Sequence, residues 1–211
     1  MTDSIRIERA EARDNRFIAE MIAISSDGIA HIEWQQQADE EGVAALAIGA
    51  RTYAAEEGDY SFRNCWIARS GRAEPVGMIL SFALTEANRS QDAKPPPYAD
   101  DDIYAPYKYL EAVNSWYICG VTVVPDQRGR DIGKRLMERA MQDGREAGFD
   151  NCSLIAVASK TALLDYYRSL GFEITRRAPI VPHPQIDASG DAVLMETNPG
   201  DQASQPASKA V

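Results

Sequence analysis

The chain has 211 residues, 45% of them hydrophobic, and a formal charge of −10. That length suits one domain with its own buried core, and the negative balance argues against general binding to nucleic acid or anionic membranes. No stretch approaches the ~18 uncharged apolar residues of a membrane span, and the opening MTDSIRIERAEARDN lacks a signal-peptide core, so a cytoplasmic protein is expected.

In chain order, residues 4–9 alternate polar and apolar side chains as a half-buried strand does. Asp14 can cap a helix whose apolar residues Phe17, Ile18, Met21 and Ile22 recur at helical spacing. Residues 32–57 read as one longer helical stretch, with Gly42 and Gly49 as candidate breaks. Strands over 65–69 and 76–84, separated by the turn SGRAEP, suit a hairpin. Residues 85–113 form a long acidic loop holding Pro95, Pro96, Pro97, four tyrosines and the run Asp100, Asp101, Asp102. A connection of that length is usually functional or disordered. Residues 115–124 are apolar on both faces, as in a central strand, and Gly120 in their middle signals a bulge or a close backbone approach. A helix from Ile132 towards Gly148, a strand near 152–158, a helix near 161–170 stopped by Gly171, and strands from Phe172 and over 192–197 complete the domain. Strand–helix–strand–helix–strand order over 115–175 implies an α/β core with at least one parallel pair. Residues 199–211 have too few apolar side chains to fold and are expected to be a disordered tail, leaving 1–198 as the domain.

Cys65, Cys119 and Cys152 each sit inside an apolar run with no CxxC spacing, which suits small core residues rather than metal ligands. His31 and His183 are far apart in sequence and have no visible partner, so neither a zinc site nor a Ser-His-Asp arrangement is expected.

One segment runs against the acidic trend. From Gln127 to Arg139, five basic side chains (Arg128, Arg130, Lys134, Arg135, Arg139) face two acidic ones (Asp131, Glu138), a net of +3. A strand that ends in a turn opening a helix leaves unpaired N–H groups at the positive end of the helix dipole, which is where phosphate binds. Gly129 and Gly133 let backbone approach an anion closely. Neither GxGxxG nor GxxxxGK[ST] is present, because Arg135 stands where Ser or Thr would bind magnesium. Charge and glycine alone fit a basic surface helix equally well.

The stretch VTVVPDQRGRDIGKRLM resembles the signature of the GNAT superfamily of acyl-CoA-dependent N-acetyltransferases, in which V-x-V-x-P leads into [QR]-x-x-G-x-[GA] at a helix start. Downstream, TALLDYYRSLGFEI is similar to the family's Tyr-x-x-x-Gly-Phe segment, with Tyr167, Gly171 and Phe172 in the matching places. The resemblance implies a mixed, mostly antiparallel sheet with a splayed parallel pair, flanked by helices on both faces. It implies acetyl-CoA as co-substrate and no metal. Val121, Thr122 and Val123 would pair with the pantetheine arm. Arg128, Gly129, Arg130, Asp131, Ile132, Gly133 and Lys134 would surround the pyrophosphate, and Tyr167 would protonate the departing thiolate. The sequence departs from the pattern at Asp131, where the first signature glycine belongs, at Lys160, where Asn is frequent, and at Leu163, where Ala is common.

Helical spacing also places Tyr167 with Leu163 and Leu170 on one face, as a core aromatic would be, and its neighbour Tyr166 is a rival for the acid role. A base must free the amine of its proton. Glu111, just before the central strand, is the first candidate, with Asp100, Asp101, Asp102 or water as the others. Residues 86–111 carry six acidic and three basic side chains, which would attract a cationic amine. The resulting reading is an N-acetyltransferase acting directly on a primary amine of a small molecule or peptide, with a homodimer compatible. The alternatives are a non-catalytic acyl-CoA-binding or sensing module on the same fold, and an interaction protein whose basic helix meets an acidic partner.

Overall fold

The computed structural model describes residues 4–198; the tail expected over 199–211 lies outside them. Seven strands, β1 (Arg6–Arg9), β2 (Cys65–Arg69), β3 (Pro75–Leu84), β4 (Ser115–Val123), β5 (Cys152–Val157), β6 (Glu173–Pro179) and β7 (Asp191–Glu196), make one sheet in the order β1-β2-β3-β4-β5-β7-β6. Every neighbouring pair is antiparallel except β4–β5. The C-terminal strand β7 slots between β5 and β6, a placement that nothing in the local sequence announces.

Helices α1 (Asn15–Ser25), α2 (Ile29–Glu41) and α3 (Ala45–Tyr53) cover one face. There Ile18, Trp34, Ile48, Ile67, Met78 and Leu80 form a core. Helices α5 (Ile132–Glu146) and α6 (Thr161–Ser169) cover the other over Ile79, Ile118, Leu136, Leu154 and Phe172. Period-2 alternation in β3 feeds both layers: Met78 and Leu80 face one core, and Ile79 between them faces the other.

The single helix expected over 32–57 is two helices. Gly42 takes φ 68 and ends α2, whereas Gly49 lies inside α3, where the Trp34 ring packs against it. Asp14 stands at the N-cap of α1 but does not cap it by its side chain. Its carboxylate accepts the Glu11 N–H at 2.8 Å and takes both oxygens to one amino group of Arg69, at 2.7 and 2.8 Å, both partners being buried. This pair ties the start of α1 to β2. The loop over 85–113 is ordered and holds a short helix, α4 (Ala105–Leu110). The Glu111 carboxylate closes it by accepting the Ser90 N–H and hydroxyl at 2.7 and 2.9 Å.

On the opposite layer, α5 is anchored through Asp143. That carboxylate accepts from Arg9 at 2.9 Å, from the Trp66 indole at 2.7 Å and from Arg139, while the two guanidiniums lie 4.1 and 4.7 Å from the Trp66 ring centroid. Arg139, counted above as part of the basic turn, is therefore a structural cation.

A methyl group on Gly49 would come within 2.8 Å of three atoms of the buried Trp34 ring. Gly49→Ala gains ~1 kcal/mol of helix propensity, but displacing the ring costs about 1–3 kcal/mol. We expect a net loss of stability, read as a lower urea midpoint with unchanged slope.

Candidate active site

The site originates in a failure of pairing. β4 and β5 meet only at Trp116↔Cys152 and Tyr117↔Ser153, after which they diverge. Directly beyond, the β3–β4 ladder slips: Leu80 pairs with Gly120 and Ser81 with Ile118, leaving Cys119 as an extra residue. The bulge signalled by Gly120 is thus real, and it increases local twist. The close approach is real as well, since a Cβ on Gly120 would stand 2.8 Å from Ile22 and Ser25 of α1.

The bulge also resets which side chains face which layer. Tyr117 and Cys119 pack towards the α1–α3 core, while Val121 and Val123, two and four residues on, pack towards α5 and α6. The Val124 N–H donates to Val76 O of β3 at 2.9 Å. Because successive N–H groups of a strand alternate sides, Thr122 also addresses β3, and its hydroxyl donates to Met21 O at 3.0 Å. Val121 and Val123 point their N–H groups the other way, into the gap left by β5. The Val123 carbonyl, on that same side, accepts the Arg128 Nε–H at 3.1 Å.

Around this gap lies a cavity of about 930 Å³ running between the layers. At one end stands the turn into α5. Gly129 takes φ 74 and Asp131 φ 58. The left-handed angle at Asp131 explains why a glycine suits this position, and aspartate is among the few other residues that tolerate it. Its carboxylate does not cap α5, so Ile132, Gly133 and Lys134 open the helix with N–H groups that no side chain covers from the cap position. Arg128, Gly129, Asp131, Ile132, Gly133 and Lys134 all line the cavity; Arg130 does not.

The wall opposite β4 is α6, presenting Tyr166 and Tyr167 with ring centroids 5.5 Å apart. Tyr167 is 7% exposed, packs on Phe172 at 6.1 Å, and makes no hydrogen bond among the described residues. It is both a core aromatic and a cavity residue, so the two readings of its helical spacing are compatible. Burial, with a smaller effect of Tyr166, raises its phenol above the ordinary value. The Tyr166 hydroxyl is a buried polar atom with no partner among the described residues, and it would sit 3.6 Å from a Cβ placed on Gly133. Burial first, then the charges of Glu138 and Asp131, push Tyr166 up to about 12. The two tyrosines are thereby separated: Tyr166 addresses the α5 turn, and Tyr167 is the deeper of the pair.

Glu111 does not line the cavity, and its carboxylate is held by Ser90. Asp100, Asp101 and Asp102 do not line it either; Asp102 accepts the Ala105 N–H at 3.1 Å. The loop instead contributes Tyr104 and Tyr107. Sequence reasoning missed Glu33, Tyr53 and Tyr60, which line the far end from α2, α3 and the segment after it. It also missed Cys119, taken for a core residue, whose thiol burial pushes up to about 12 and so keeps neutral. Asp27 and Lys160 form an ion pair, joining the α1–α2 turn to the start of α6 along the cavity. No group of side chains that could hold a metal ion occurs among the described residues, and no described helix is long and apolar enough to cross a membrane.

This fold and cleft define an acetyltransferase architecture. The model of the acetyltransferase (GNAT) family matches residues 28–172, and the chain belongs to that family. Among solved structures, an acetyltransferase shares 16% identity at a TM-score of 0.60, over 90% of this chain and 97% of that one. Naa20 of Chaetomium thermophilum, solved with a bisubstrate analogue, shares 16% identity at 0.54 over 90% and 85%. The NatC complex bound to Gag peptide and CoA shares 17% identity at 0.51 over 93% and 98%. No curated protein matches the sequence.

Asp131→Gly removes a negative charge from the helix start while keeping the left-handed angle available. Coenzyme A is expected to bind about threefold tighter, as read by calorimetric titration at low ionic strength; weaker or unchanged binding would refute the assignment of this turn to the diphosphate.

Proposed function

We propose that the protein transfers an acetyl group from acetyl-CoA directly to a primary amine of a cationic small molecule or peptide, without a metal. The observation that carries this reading is the pair of β4 N–H groups, Val121 and Val123, facing a gap whose other wall holds Tyr167. The residues present fit the co-substrate: an uncapped helix start with two left-handed turn residues, and an orphaned Tyr166 hydroxyl beside it, suit a diphosphate. Arg128, Gly129, Asp131, Ile132, Gly133 and Lys134 would hold that group, Arg130 would add charge from just outside, and Val121–Val123 would hold the pantetheine arm, with Thr122 supporting the strand from its other side. When bound, the co-substrate supplies an activated thioester.

The chain's own contribution is orientation, an oxyanion donor and a proton. An N–H of β4 is a fixed dipole that costs no reorganisation as negative charge develops on a carbonyl oxygen. Tyr167 is kept protonated by burial, so it has a proton to give at neutral pH. The amine must arrive uncharged, since an alkylammonium has a pKa near ~10. Glu111, whose carboxylate is held by Ser90 and stands back from the cavity lining, would act as base only through water. That same setback favours one second reading, a non-catalytic acyl-CoA sensor. Thiol release from acetyl-CoA across a panel of amines separates the two: turnover with any amine excludes the sensor, and coenzyme A binding with no turnover favours it. Failure to bind coenzyme A at all would leave the interaction protein, whose basic helix meets an acidic partner.

Tyr167→Phe is expected to lower kcat about 10²-fold with little change in the KM for acetyl-CoA, whereas Tyr166→Phe should act mainly on that KM. With the raised phenol of Tyr167, activity should climb with pH as the amine loses its proton and show no descending limb up to pH ~10, the ordinary tyrosine value. A fall in kcat beginning near neutrality would contradict Tyr167 as the acid.

A further inference from the structure

The far end of the cavity has a chemistry that acetyl transfer to a simple amine does not require. Trp34, Tyr53, Tyr60, Phe82 and Tyr117 form an unbroken chain of edge-to-face contacts, with successive centroids 6.2, 6.4, 6.0 and 5.6 Å apart. All but Phe82 line the cavity. Tyr53 is only 3% exposed and lines the cavity, and its hydroxyl makes no hydrogen bond among the described residues. The Tyr104 hydroxyl, on the same cavity, is buried with no partner among the described residues, whereas a buried phenol ordinarily finds one.

Three carboxylates serve this wall. Glu33 lines the cavity itself, from the α2 turn that precedes Trp34. Asp59 adjoins Tyr60 in sequence and accepts both its hydrogen bonds from the Asn88 amide at 3.0 Å. Glu111 accepts from Ser90. The donors to Asp59 and Glu111 are neutral, and none of the three carboxylates is in an ion pair among the described residues. After Cys119 and burial, the carboxylates Glu33, Glu111 and Asp59 also raise the Tyr60 phenol, so they act on this wall. The cations of the cavity are engaged elsewhere, Lys160 with Asp27, Lys134 with Glu138, and Arg128 on the Val123 carbonyl.

We infer that this end of the cavity takes the second positive charge of a diamine, held between Glu33 and the faces of Tyr53 and Tyr60 while the first amine lies at the β4–β5 gap. An ammonium group satisfies each feature at once. It pairs with the Glu33 carboxylate, which is in no ion pair among the described residues, it is attracted to tyrosine faces, and it can donate a hydrogen bond to the Tyr53 or Tyr104 hydroxyl. An uncharged alkyl body would fill the space without engaging Glu33. The placement of the first amine rests on the acetyl-transfer reading; the capture of the second does not.

The test compares 1,6-diaminohexane with hexylamine on the full-length protein. Calorimetric titration in the presence of coenzyme A reads binding, and thiol release from acetyl-CoA reads turnover. The diamine is expected to bind about tenfold tighter, the preference should shrink as salt is raised, and Glu33→Gln should cut it at least about threefold. Equal affinities, no binding of either amine, or a preference untouched by Glu33→Gln overturns the inference. Diamine preference without thiol release would support this subsite while sinking acetyl transfer; thiol release from both amines alike would do the reverse.

Discussion

Two strands that part company govern this molecule. β4 and β5 run side by side for two residue pairs and then separate, so that backbone groups of β4 that a complete sheet would consume are left facing a cleft. Unpaired backbone donors in a buried setting are costly unless something meets them, and here the Val123 carbonyl borrows Arg128 while the N–H groups of Val121 and Val123 stay available. Every part of the site is defined relative to that opening: the helix start of α5 closes one end, α6 brings its tyrosines across the gap, and the bulge at Cys119 turns the strand so that its faces exchange.

Holding the gap open requires the layers on either side to be rigid. On one side, Asp143 gathers Arg9, Trp66 and Arg139 and fixes α5 to the sheet edge. On the other, the buried Asp14–Arg69 pair fixes the entry to α1, whose Ile22 and Ser25 lean against Gly120 at the bulge. Removing one partner of such a buried pair costs about 3–5 kcal/mol, because the remaining charge is stranded. None of these charged residues lines the cavity; they hold α1 and α5 against the sheet that frames it.

The cavity is also polarised. Its α5 end combines helix N–H groups with Arg128 and Lys134, and its far end combines tyrosine faces with Glu33, backed by Asp59 and Glu111. Under the proposed function, an anionic carrier and a cationic acceptor would be drawn to opposite ends. Such a separation would reconcile a chain of charge −10 with a polyanionic ligand, since the local field and not the total charge governs an encounter.

The sequence by itself determined the central strand, the turn after Pro125, the helix that follows and the stop at Gly171, because each is written in local periodicity and in glycine positions. It also located Tyr167 and the turn residues, through a motif that is contiguous along the chain. Gly42 and Gly49 show the limit: both look like helix breakers, but only the tertiary structure decides that one ends a helix while the other makes room for Trp34. The far end of the cavity was illegible for the same reason. Glu33, Tyr53, Tyr60 and Cys119 lie on four different segments, and Glu111, close to the strand in sequence, is turned aside by Ser90. Local hydrogen bonding and side-chain period act over a few residues and can be read from the chain; convergence of distant segments is set by packing and by the register of the sheet, which appear only once the chain is folded.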